Sequence, residues 1–185
     1  MGGSPMKIRK SKKQLLLYYM SGFFVGILYA NIVGGNAPDS SGIFQEYFLR
    51  QYMQTEINVK EYFFYLLQLR LFPLALLAIA GCSRFKSSAA AVFLLWTGFS
   101  GGIVAVAAVL NLGMKGMLIC IAGMFPHMIA YGFGYAILLW YLYGYPQIRW
   151  NIWKSTTVGG MFLIGIFMEA YVNPDIMKLF IRLLG

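Results

Sequence analysis

The chain has 185 residues, of which 59% are hydrophobic and only 11% charged, with a formal net charge of +9. A soluble domain carries roughly a quarter charged residues to keep its surface wet, so most of this surface faces something other than water. The basic excess flanks apolar runs, which argues against nucleic acid as its partner and for a role in membrane topology and contact with anionic headgroups.

A helix that crosses a bilayer needs about 20 mainly apolar residues, and several such runs follow one another. Residues 1–5, MGGSP, read as a flexible or appended leader and are set aside. The leader region extends to residue 13 through Lys7, Arg9, Lys10, Lys12 and Lys13. The first span is 14–34; it is too long for a signal peptide and ends in no A-x-A site. Gly22 and Gly26 give it one smooth face for close helix contact.

A turn-rich stretch, GNAPDSSG, comes next, and Pro38, Asp39 and Gly42 block a helix there. Over 43–54, Phe44, Tyr47, Phe48, Tyr52 and Met53 recur at helical spacing opposite Gln45, Glu46, Arg50 and Gln51. This is an amphipathic helix at the interface, either a lid on the bundle or a docking surface. The second span, 61–82, carries Gln68, Arg70 and Pro73. The third, 89–112, holds Gly98, Gly101 and Gly102, and a tight turn at 113–116 leads to the fourth, 117–143, interrupted at Pro126-His127. The fifth is 153–172, and a second amphipathic helix, 174–184, presents Met177 and Phe180 beside Lys178 and Arg182. The expected fold is therefore all-α: one polytopic helical membrane domain, 14–185, with five spans and two amphipathic helices on the outer face.

Basic residues set the orientation. Lys7, Arg9, Lys10, Lys12, Lys13, Arg84, Lys86, Arg149 and Lys154 fall on the N-terminal side with no acid among them. Arg50, Lys60, Lys115, Lys178 and Arg182 fall on the other side with nearly all the acids. The N-terminus is then cytoplasmic and the C-terminus extracytoplasmic. Cys82 and Cys120 lie near opposite faces, too few and too far apart for a disulfide framework.

Ionisable groups inside apolar spans are expensive and mark function by default. Three stand out: Arg70, His127 and Glu169. They read as a polar cluster for an ion, a proton or a headgroup, or as a structural Arg70–Glu169 pair. A lone histidine does not make a zinc site, and no HExxH, Walker motif or dinucleotide fingerprint is present. Ser100 in GFSGG matches G-x-S-x-G by letter, but that motif works at a strand-to-helix elbow. No enzyme activity, metal or cofactor is expected.

The order of these features resembles the stage II sporulation protein M family of spore-forming Firmicutes. The resemblance rests on the basic N-terminus, Gly22-Phe23-Phe24-Val25-Gly26, the glycine-rich third span, Pro126-His127, and the end Glu169-Ala170-Tyr171-Val172-Asn173-Pro174 followed by Ile176-Met177-Lys178. Many relatives carry P-H-G-x-x-E in span four; here Met128 and Tyr131 stand at the glycine and glutamate positions, so no role of that acid carries over. The resemblance implies a non-catalytic scaffold on the mother-cell side of the sporulation septum. Such a scaffold recruits the peptidoglycan-degrading stage II sporulation proteins D and P during engulfment. Phe44, Tyr47, Phe48, Met177 and Phe180 would be its docking residues, and Gly22, Gly26, Gly98 and Gly102 would hold the bundle or a homodimer. The alternative is a small transporter or the membrane subunit of a transport complex, motivated by the polar trio and the broken fourth span.

Overall fold

The structure, a computed structural model, describes residues 5–34 and 45–184. The described residues form helices joined by short turns: α1 (Pro5–Gly34), α2 (Glu46–Gln54), α3 (Val59–Cys82), α4 (Lys86–Met124), α5 (His127–Gly144), α6 (Ile152–Phe167), a π-helical turn (Met168–Val172) and α7 (Asn173–Leu184). Four stretches are long and apolar enough to cross a membrane: Lys13–Val33, Val59–Cys82, Lys86–Met124 and Ile152–Leu184. The turn-rich segment after α1 and the expected start of the first amphipathic helix, with Phe44, lie outside the described residues.

The helix boundaries depart from the sequence reading at three places, each for a local reason. Helix α1 begins at Pro5 rather than at residue 14. Lysine, arginine and glutamine are good helix formers, and no breaker separates the basic run from the apolar one.

Helix α4 is two arms, 86–112 and 114–124, that meet at Gly113, whose φ of 58° and ψ of −137° are not helical. A side chain on Gly116 would overlap the carbonyl of Ala108. Eight residues of continuous helix would separate those positions by about 12 Å, so the backbone reverses at Gly113. The second arm ends at Met124, and α5 restarts at His127. Proline has no N–H to continue the ladder, and Pro126 marks that break. The expected fourth span, 117–143, is thus shared between the second arm of α4 and α5.

The third departure is at the C-terminal end. Pro174 does not separate a span from a tail. Asn173 is helical (φ −64°, ψ −39°), and its N–H bonds to the carbonyl of Met168, five residues back. Proline is tolerated in a first helical turn, so α6, the π turn and α7 form one unbroken path.

Packing follows the small residues. Helix α1 lies along α4. Side chains added at Gly22 and Gly26 would strike the carbonyls of Leu95 and Phe99; side chains at Gly98 and Gly102 would strike those of Tyr19 and Phe23. The four glycines therefore interlock, backbone against backbone, as small residues do where helices approach closely in lipid.

The main core joins α3, α5 and α6 through Leu66, Tyr131, Val158, Phe162, Ile166 and Ala170. A second cluster, Leu77, Ala90, Leu138, Leu139 and Leu142, ties in the start of α4. A third unites α2, the second arm of α4 and α7 through Leu49, Ile119 and Ile181. Large apolar side chains such as Leu28, Phe72, Trp96 and Leu163 point outward and are exposed, which is the surface a hydrocarbon solvent would cover.

Candidate functional site: a buried charge cluster

The site is built on the α3–α5–α6 core. Arg70 lies on α3, His127 and Tyr131 one turn apart at the start of α5, and Glu169 in the π turn. Single π turns inside α-helices recur at functional sites, and here the turn carries the one buried carboxylate of the described residues. His127 is only 3% exposed and Glu169 6%. Charges so placed need partners, because an unpaired ion in a low-dielectric interior is costly.

Glu169 has its partners. Arg70 donates from Nε to Glu169 Oε2 at 2.9 Å and from Nη2 to Oε1, a two-pronged fit of planar guanidinium on carboxylate. Tyr131 donates its hydroxyl to the same Oε2 at 2.7 Å. The Arg70 guanidinium also lies 5.1 Å from the Tyr131 ring centroid, within cation–π range.

His127 sits at the edge of this arrangement. Its Nε2 is 3.9 Å from Glu169 Oε1, too long for a hydrogen bond. Its Nδ1 is buried without a hydrogen-bond partner among the described residues. The histidine ring meets Tyr131 edge-on, with centroids 5.8 Å apart.

Two glycines shape the pocket for these side chains. A Cβ on Gly165 would come within 2.6 Å of the Tyr131 ring, and one on Gly134 within 2.8 Å of Phe162. Tyr131 in turn packs on Phe162 at 5.4 Å. The absence of side chains on α5 and α6 is what lets Tyr131 reach Glu169.

The three ionisable residues marked by the sequence thus meet in one cluster. Tyr131 and Gly165 complete it, and neither is singled out as a ligand by residue type; tyrosines and glycines are scattered through every apolar run. No hydrogen bond joins Ser100 to His127 among the described residues, and Ser100 lies on the α4 face that carries the interlocking glycines. No group of three metal-ligating side chains occurs among the described residues.

The residues marked for docking are distributed differently. Tyr47 is 76% exposed and Phe48 42%. Phe180 is half-buried. Met177 belongs to the cluster around Ile119, where its sulfur would lie 3.0 Å from a Cβ on Gly123. Helices α2 and α7 therefore pack on each other and on α4, and Lys178 donates to the carbonyl of Thr55 at 3.2 Å.

At the opposite end of the bundle, Lys86 lies 3.5 Å above the Tyr145 ring centroid and donates to the Tyr141 hydroxyl at 3.2 Å. Comparison of the chain with family models, curated proteins and solved structures finds no match.

Proposed function

We propose that the chain is an integral membrane protein with five crossings that serves as a non-catalytic scaffold, of the stage II sporulation protein M type. In this reading the crossings are α1, α3, the first arm of α4, the second arm of α4 with α5, and α6 with the π turn. The N-terminus is cytoplasmic, and the assembly sits on the mother-cell side of the sporulation septum.

The observation that carries the scaffold reading is the closure of the buried charges on one another. Arg70 and Tyr131 occupy both oxygens of Glu169. A carboxylate so engaged joins three elements rather than waiting for a substrate, and buried ion pairs of this kind are best attested as devices that fix register. The exposed aromatics Tyr47 and Phe48 on α2 supply an outward surface for partners. The resemblance stated above supplies their kind: wall-degrading enzymes on the outer side.

The test is purification from sporulating cells in mild detergent, with partners identified by mass spectrometry. Stoichiometric wall hydrolases are expected, and Phe48→Asp should lose them while the protein still inserts. Unchanged co-purification would reject α2 as the docking surface.

The second reading, a transport subunit, draws on His127, whose Nδ1 is buried and unpartnered beside the carboxylate. Membrane carboxylate–histidine pairs serve in proton relays. An ATPase co-purifying without hydrolases, and flux lost in His127→Ala at unchanged insertion, would favour it over the scaffold.

A further inference from the structure

Helix α2, the reversal of α4 and the end of α7 leave a groove of about 440 Å³ between them. Its floor is apolar: Leu49, Ile119 and Ile181 pack together with Leu112 beside them. Its rim carries Arg50, Lys115 and Arg182. The single carboxylate on that rim, Glu46, lies 3.7 Å from Arg50. Lys115 and Arg182 thus have no ion pair among the described residues.

The two parts of the groove select for different things. The rim favours an anion, and the floor favours hydrocarbon. A soluble anion would leave the floor bare, and an aliphatic ligand would leave the cations unused. The groove also lies where the apolar arms of α4 turn back at Gly113. On the membrane reading above, on which this inference rests, that is the level of the lipid headgroups. Basic residues on the outer side run against the usual bias, so their gathering around one trough has a local cause.

We infer that this groove holds one anionic phospholipid, its phosphate between Lys115 and Arg182 and an acyl chain along Leu112, Ile119 and Ile181. Arginine offers a planar fork to phosphate and lysine a point charge. The lipid then bridges the α4 reversal to α7 and seals the small core beneath α2.

The experiment is native mass spectrometry of the full chain released from phosphatidylcholine nanodiscs that contain a minor fraction of phosphatidylglycerol. One retained phosphatidylglycerol per chain is expected. Lys115→Gln should lower retention about fivefold, and Lys115→Gln with Arg182→Gln about thirtyfold, from the attraction of basic side chains for anionic lipid. Lys115→Arg should keep it. Both side chains are exposed, so these variants retain their packing. Equal retention by the double variant overturns the proposal. An equal loss in Arg84→Gln at the other end overturns it too, as does displacement of the lipid by soluble glycerol phosphate. A chain that fails to enter nanodiscs overturns the membrane reading as well, whereas insertion without selective retention overturns only the lipid site.

Discussion

Arg70 and Glu169 stand 99 residues apart in the chain and meet through two hydrogen bonds in the interior of the bundle. Removing one partner leaves the other charged, buried and unpaired. Glu169→Ala should therefore destabilise the fold by about 3 kcal/mol or more, whereas replacing both by methionine should cost far less. Thermal unfolding in detergent of the two single variants and the double variant checks this. Additive losses would show that the pair does not act as a unit.

The contact between α1 and α4 depends on glycine at four positions. Gly98→Val should separate the helices, because the new side chain meets the Tyr19 backbone rather than a movable side chain. Overpacking of this kind costs about 1–3 kcal/mol. Gly101→Ala is the control: its Cβ would lie 3.6 Å from the Tyr19 hydroxyl, an ordinary contact. Co-purification of an α1 fragment with the remaining chain should fail for the first and persist for the second.

Tyr131 reaches Glu169 only because Gly165 is bare. Gly165→Leu should push the ring away and reproduce much of the loss seen in Tyr131→Phe, roughly 1–3 kcal/mol for a buried acceptor deprived of its donor. Thermal unfolding of the two variants, alone and combined, reads this directly; full additivity would mean that Gly165 acts elsewhere.

Lys86 ties the start of α4 to the turn after α5 through Tyr141 and Tyr145. Lys86→Met should cost about 1 kcal/mol, and Lys86→Arg should preserve most of the contact. Quenching of Trp150, which packs on Tyr141 at 5.0 Å, offers a local probe.

Tyr52, on α2 outside the spans, is pushed up to about 12 by burial and by its neighbours Tyr62 and Asp175. A phenol whose folded value exceeds its unfolded one contributes stability that is intact below pH 10. That contribution is lost as the pH climbs toward 12. Helix α2 should loosen over that window, seen as rising protease cleavage near Gln54, and Tyr52→Phe should remove this tyrosine's share of the effect.

The charge cluster was legible because charged residues are conspicuous in apolar runs: Arg70, His127 and Glu169 announce themselves by type alone. Tyr131 was not, since its hydroxyl matters only once the folding of α5 against α6 sets it beside Glu169. The glycine spacing at Gly22/Gly26 and Gly98/Gly102 marked two smooth faces without saying that they face each other. The amphipathic patterns of α2 and α7 likewise said that each has an apolar face to cover. They could not say that Leu49 and Ile181 would cover one another. Continuity through Pro174 escaped the reading because proline is compatible with both a fresh start and a first turn, and only the Asn173 N–H, bonded five residues back, separates the two.

The π turn has a consequence beyond positioning Glu169. It inserts one extra residue into the helical path, and each residue of an α-helix advances the phase by about 100°. Everything C-terminal to it is thereby set at a particular rotation, the one that aims Ile181 at Leu49 and Met177 at Gly123. Deleting Val172 would restore regular winding and swing the apolar stripe of α7 away from both. The buried carboxylate and the packing of the last helix thus share one angular reference, fixed by five residues.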